Sequence, residues 1–174
     1  GGVSGRVYSM LAKEMSDTRN RGKILWVFAT SRPDLLEVDL KRTGRLDVHM
    51  PLFPPQTPAE AHNLFKIMCR KLKIPIKPEE VPPVPKELGD ISGNEMEALL
   101  VRVNRHWQLA DEEERKKGLP SMIKQQLKDF RPSAHTRALE YMDLIAVKEC
   151  TDDRFLPEKY RKIKPEELEV RLQQ

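Results

Sequence analysis

The stretch Lys23–Leu52, KILWVFATSRPDLLEVDLKRTGRLDVHMPL, opens on a continuous apolar run from Ile24 to Ala29. Its lack of alternation predicts a strand covered on both faces, as in the middle of a parallel α/β sheet. Thr30, Ser31, Arg32 and Pro33 then end it, since proline donates no ladder hydrogen bond. Small hydroxyl side chains are thereby placed at a strand's carboxyl end, where open α/β sheets carry their ligand chemistry. Asp34 is expected to cap a short helix through Leu40, and Thr43-Gly44 to break it. Arg42 and Arg45 flank that turn. Asp47 to Leu52, with Val48, Met50 and Leu52 alternating against Asp47, His49 and Pro51, predicts a second, shorter strand.

These residues resemble the second half of the nucleotide-binding core of the AAA family of ring-forming ATPases. The family's ATN-RPD and L-R-x-G-R-F-D segments are matched by Ala29, Thr30, Ser31, Arg32, Pro33 and Asp34, and by Arg42, Gly44, Arg45, Leu46 and Asp47. The resemblance implies that Ser31 stands at the sensor-1 position, where the family has an Asn that positions the attacking water and the γ-phosphate. It implies equally that Arg42 and Arg45 are arginine fingers reaching the ATP of a neighbouring subunit. Read without the resemblance, the two arginines are solvated surface charges or local partners of Asp39 or Asp47, and the Ser31 hydroxyl is a turn or capping group.

Working outward, Ser4 is expected to cap a helix to about Asp17, with Val7, Met10, Leu11 and Met15 at helical spacing. Arg6, Val7, Leu11, Glu14 and Met15 match the AAA helix that follows the Walker B strand. A strand buried in a parallel sheet needs parallel neighbours joined by crossover helices, and this chain offers one long strand candidate and one short one. It contains no G-x-x-x-x-G-K-[ST] and no apolar strand ending in paired acids that would hold magnesium. The resemblance implies that both motifs lie upstream of this chain, so that the magnesium site falls outside it.

Pro54, Pro55 and Pro58 mark the passage to a second region. Thr57 can cap a helix from Pro58 to about Leu72, with an apolar stripe of Ala61, Leu64, Phe65, Met68 and Leu72 and a basic C-terminal half. It resembles the first helix of the AAA helical lid, with Ala61 at the family's Arg position and Met68 where the family has a His beside adenine. A thioether can pack on a purine, and Met68 is equally well read as an ordinary core residue of the stripe. Ile74 to Asp90, crowded with proline, is expected to be a connector with room for one short helix. Ser92 with Glu95 forms a capping box for a helix whose stripe is Met96, Leu99, Leu100 and Val103. ISGNEMEALL resembles the family's sensor-2 segment, which implies that Ser92, Gly93 and Asn94 approach adenine and ribose. Glycine permits such an approach because no Cβ intervenes, while Asn94 stands where Ala is usual.

Further helices are expected over Leu119–Phe130 and from Ala134 to Val147, the latter packing back on the lid. LKDF and the Arg137–Tyr141 segment resemble the family's D-F-x-x-A-L. Asp111–Lys117 reads as a solvated charge run, and Thr151–Gln174 as short helices or a tail anchored by Phe155, Leu156, Tyr160 and Ile163. His49, His62, His106 and His135 share no metal-ligand spacing. Cys69 and Cys150 read as reduced thiols, Cys69 a buried one.

A chain of 174 residues with 39% hydrophobic and 33% charged residues can bury one substantial core or two small ones. The net charge of +4 is too mild to argue for nucleic acid, and no apolar run reaches membrane-spanning length or forms a signal peptide. A cytoplasmic location is therefore expected. The expected fold class is α/β plus all-α: residues 1–55 an incomplete carboxyl portion of an AAA-type P-loop NTPase core, 56–150 a small helical-bundle lid, and 151–174 a charged extension. The resemblance implies ATP and Mg2+ in the full-length protein, a homo-oligomeric ring such as a hexamer, and a protein substrate or adaptor to be remodelled. The isolated chain is expected to hydrolyse no ATP. Two other function classes stand beside this one: a catalytically silent AAA-like assembly or regulatory module, and a DNA-linked motor role that composition does not favour.

Overall fold

Thr57 shows how the chain starts its helices: its Oγ1 accepts the Glu60 N–H at 3.1 Å, and Pro58 follows at the first helical position. The computed structural model describes residues 2–88, 91–131 and 136–174. Gly1, Asp90, Ala134 and His135, and with them the expected start of the last long helix, lie outside the described residues. The helices are α1 (Gly2–Ser16), α2 (Pro58–Lys71), α3 (Gly93–Leu109), α4 (Glu112–Lys116), α5 (Leu119–Asp129), α6 (Thr136–Glu149), α7 (Glu158–Arg161) and α8 (Pro165–Gln173). The chain divides into two compact units, residues 1–52 with 135–174, and residues 53–134.

In the second unit α3 packs against both α2 and α5. Phe65 and Cys69 from α2, Met96, Leu99, Leu100 and Val103 from α3, and Leu119, Ile123 and Leu127 from α5 share one core. The α3 start is the expected capping box, with Ser92 Oγ accepting from Glu95 N at 3.1 Å and Glu95 Oε1 from Ser92 N at 3.1 Å. Asp111 caps α4 by accepting the Glu114 N–H at 2.9 Å. The segment read as a connector with room for one short helix is partly core, because Ile74, Val81, Val84 and Ile91 are buried and pack on these helices. It enters through Lys73, whose φ is 55°, and two 3₁₀ turns at Pro78–Glu80 and Lys86–Leu88 shape it.

The first unit corrects the α/β part of the expectation. Among the described residues no strand forms, either at 24–30 or at 47–52. Residues 24–29 are not covered on both faces: Trp26 and Phe28 pack on Ala12, Met15 and Leu40, whereas Leu25 is 88% and Val27 81% exposed. A strand without neighbours forms no ladder, so its backbone and one of its faces stay open. At 47–52 the alternation is inverted. Val48, Met50 and Leu52 face outward, and His49 turns inward, its ring nitrogens 2.9 Å from the Glu149 carbonyl oxygen and 2.7 Å from that of Leu46.

Helix α1 begins at Gly2, which puts Ser4 inside it rather than at its cap. Its buried face runs through Tyr8, Leu11, Ala12 and Met15, leaving Val7 and Met10 exposed. In place of a helix from Asp34 to Leu40 there are 3₁₀ turns at Pro33–Leu35 and Val38–Lys41, and Asp34 pairs with Arg32 instead of capping. Proline-33 starts the first turn and Leu40, fully buried, anchors the second. Helix α6 contacts the Pro33–Leu35 turn and α8. It buries Leu144, Ile145 and Val147, and is tied to α8 by Arg171–Glu140 at 3.0 Å and Lys148–Glu169 at 3.3 Å. Leu156 and Tyr160 are buried here too, the Tyr160 hydroxyl donating to Asp143 Oδ2 at 3.2 Å.

Candidate functional site

The loop after Leu40 turns at Gly44, where φ is +87°, a backbone conformation that side chains with a Cβ rarely adopt. Asp47 holds the turn by accepting the Gly44 N–H at 2.7 Å, and Leu46 N–H donates to Leu40 O at 3.1 Å. Arg42 and Arg45 leave the turn on either side of Gly44. Both engage Asp39, Arg42 through Nε to Oδ1 at 3.2 Å and Arg45 through Nη1 to the backbone oxygen at 2.6 Å. The Arg42–Asp39 pair is mostly exposed, so a competing anion displaces it at little cost. Arg45 is half-buried and more firmly oriented.

Arg42, Thr43, Gly44 and Arg45 line a cleft of about 200 Å³ together with Met15, Ser16, Asp17 and Arg21. Asp17 accepts from Arg19 through its backbone N–H at 2.9 Å and its guanidinium at 2.7 Å, and this bonding holds its carboxyl below the usual range. Arg21 escaped the sequence reading because its proximity to the arginine loop comes from α1 folding back, which leaves no local signal.

Ser31 lies on an exposed bend beyond residues 24–29. Its neighbour Thr30 closes a small turn, Oγ1 accepting Arg32 N–H at 3.0 Å, and Arg32 forks onto Asp34 through Nε at 3.0 Å and Nη2 at 2.8 Å. The Ser31 hydroxyl is thus presented to solvent.

In the other unit, Ser92 spends its hydroxyl oxygen on the capping box and Asn94 is exposed. Gly93 has no positive φ, and a Cβ there would meet Met68 Cε at 3.5 Å, an ordinary contact. Neither backbone conformation nor packing demands glycine at this position. Met68 is partly buried, packing on the core and beside Gly93. Among the described residues no three His, Cys, Asp or Glu side chains converge on a metal-sized site.

Curated relatives match part of the chain. A putative ribosome biogenesis ATPase, nvl, of Dictyostelium discoideum is 33% identical over 69 residues, 40% of this chain and 8% of the relative. The peroxisomal ATPase PEX6 of the same organism is 40% identical over 68 residues, 39% of this chain and 5% of the relative. About two fifths of this chain is similar to AAA-type ATPases. Protein SAV of Sulfolobus acidocaldarius is also similar, 37% identical over 74 residues, 42% of this chain and 9% of the relative. The AAA relatives are thus far longer, and the chain spans less than a tenth of each of these three. No family model and no solved structure matches the chain. No helix among the described residues is long and apolar enough to cross a membrane.

Proposed function

We propose that the chain serves an AAA-type ATPase that hydrolyses ATP at the subunit interfaces of an oligomeric ring and couples the cycle to remodelling of a protein. In this reading Arg42 and Arg45 act in trans on the phosphates of a neighbouring subunit's ATP, Ser31 serves as sensor 1, and Met68, Ser92, Gly93 and Asn94 border the adenine and ribose. The single observation that carries it is the arginine loop: two arginines set either side of a left-handed glycine and lining one cleft, in a chain with AAA relatives. A guanidinium is always charged, and its fixed fork of donors suits phosphate oxygens.

The chemistry assigned to these residues is electrostatic. The arginines would stabilise negative charge that develops on the transferred phosphoryl group, an effect on the order of 10³- to 10⁵-fold in well-studied nucleotide hydrolases. They would therefore act on turnover far more than on ATP affinity. Ser31 would donate one hydrogen bond to water or phosphate where an Asn offers two donors, which favours slow turnover. The absence of any packing or backbone demand for glycine at 93 supports a close ligand approach there. Magnesium would be held by another segment of the protein.

The test uses the full-length protein. Arg42→Ala and Arg45→Ala should each nearly abolish turnover while nucleotide binding persists. Mixing an arginine variant with a variant lacking the Lys of the Gly-rich loop should restore activity, because a mixed ring contains some interfaces with both parts intact. Normal turnover in both arginine variants would leave them as surface charges. A catalytically silent AAA-like module is the second reading, favoured by Ser31 and Met68 at positions where the family has Asn and His. Absence of turnover in the full-length protein, with nucleotide still bound, would decide for it.

A further inference from the structure

The cleft that holds Arg42 and Arg45 has a third guanidinium that the proposed function does not use. We propose that Arg21 is an anion-binding residue of this cleft, joining Arg42 and Arg45 around the oxygens of a polyphosphate chain. This rests on the reading of Arg42 and Arg45 as phosphate-facing residues, and adds to it a residue from a different element.

Arg21 is placed by the end of α1. Asn20 Nδ2 donates to the Glu14 carbonyl oxygen at 3.1 Å, Arg21 N–H donates to Thr18 O at 3.2 Å, and Gly22, at φ +76°, turns the chain away immediately afterwards. Those bonds fix the backbone from which Arg21 joins Gly44 in lining the cleft. Among the described residues its guanidinium has no hydrogen-bond or ion-pair partner. The other arginines of the cleft are only partly engaged, Arg42 through Nε and Arg45 through Nη1. The one carboxylate in the lining, Asp17, is already neutralised by Arg19.

Three guanidiniums therefore share a concave surface with no available counter-charge in its lining. Like charges gathered in a cleft focus a positive potential and raise the local concentration of anions. A single carboxylate satisfies one fork. A triphosphate chain carries several charges and enough oxygens for three forks, supplied from two segments of the chain, so polyphosphate is the chemistry this lining recognises. The cleft volume, about 200 Å³, is several times the roughly 30 Å³ that one water occupies in the liquid, which leaves room for a phosphate group.

The experiment titrates inorganic tripolyphosphate into the 174-residue chain at low ionic strength, following the arginine Nε–H resonances by NMR. Arg21, Arg42 and Arg45 should shift together on one isotherm. Arg21→Gln should weaken binding about tenfold, as expected for one lost charge-assisted contact, and Arg21→Lys should recover part of it. Lys162→Gln, an equal charge change elsewhere in the unit, should leave the affinity unchanged. If Arg42 and Arg45 shift while Arg21 does not, or if Lys162→Gln weakens binding as much as Arg21→Gln, the role of Arg21 is overturned and the reading of the loop stands. If none of the three shifts, both fall.

Discussion

Cys69 and Cys150 are chemically unequal although the sequence presents both as isolated thiols. Cys69 lies in the core of the second unit, and burial pushes its thiol up to about 11. Cys150 is half-buried, with its thiol donating to the Asp152 carbonyl oxygen at 3.1 Å. Native chain treated with iodoacetamide near neutral pH should therefore be alkylated at Cys150 and protected at Cys69 until it unfolds, because the thiolate is the reactive form. Peptide mapping of the modified chain checks this. Asp152 provides a pH signature. It caps the Asp153–Phe155 turn and takes a forked pair from Arg154, with Nη2 to Oδ2 at 2.6 Å, which holds its carboxyl down at about 2. A folded-state value below the unfolded one contributes stability that is present above the unfolded value and lost as pH falls through about 2. Carbon-detected NMR should find the Asp152 midpoint near that value, and Arg154→Gln should move it back toward an ordinary carboxylate. Asp152 is partly exposed and its partner Arg154 mostly so, which leaves the pair screened by solvent and a local marker rather than a support of the unit.

Helices α2, α3 and α5 and the extended segment at 24–29 contain equally apolar residues with opposite fates. Phe65 and Leu100 have no exposed surface, so truncating either to Ala should cost about 2–5 kcal/mol in cavity and transfer terms. Leu25 and Val27 point outward, and Leu25→Ala or Val27→Ala should change the stability of this chain by no more than about 0.5 kcal/mol. Trp107 sits on the second unit's core and Trp26 on the first unit's cluster, so denaturation followed by each single-Trp variant reads the two units separately. The contrast was partly legible beforehand. The stripes of α2, α3 and α5 were readable because helical spacing defines which face is buried whatever covers it. The run at 24–29 was not, because an apolar run states only that it needs covering, and whether a neighbouring strand covers it is a long-range matter. His49 shows the same limit, since its inward turn depends on Glu149, a hundred residues away.

Among the described residues, the two units bury their apolar side chains differently. The second gathers fourteen of them into one cluster, while the first buries Ala12, Met15 and Leu40 around α1, and Leu144, Ile145, Val147, Leu156 and Tyr160 in its C-terminal part. Amides of residues 24–30, lacking a ladder, should exchange with solvent faster than those of α2, α3 and α5, a difference that native-state hydrogen exchange measures directly. Equal protection of the two sets would contradict the arrangement described. The purified chain should also show no ATP turnover above background, because the dominant phosphate contacts of such enzymes come from a Gly-rich loop and its Lys, which this sequence does not contain. Measurable hydrolysis by the chain would overturn the assignment of Arg42 and Arg45 to a partner's phosphate.

Sequence spacing was enough to show the similarity to AAA-type ATPases, helices α2, α3 and α5, the caps Thr57 and Ser92, and the Arg-x-Gly-Arg turn, because each is carried by residues within a few positions of one another. Tertiary structure alone decided that residues 24–29 keep one open face, that the Ile74–Ile91 segment is core, that α6 lies with α8 and the Pro33–Leu35 turn, and that Arg21 reaches the arginine loop. The physical reason is common to all four. Local hydrogen bonds and side-chain periodicity are set by neighbours along the chain, whereas burial and charge clustering depend on which distant segments fold back to meet.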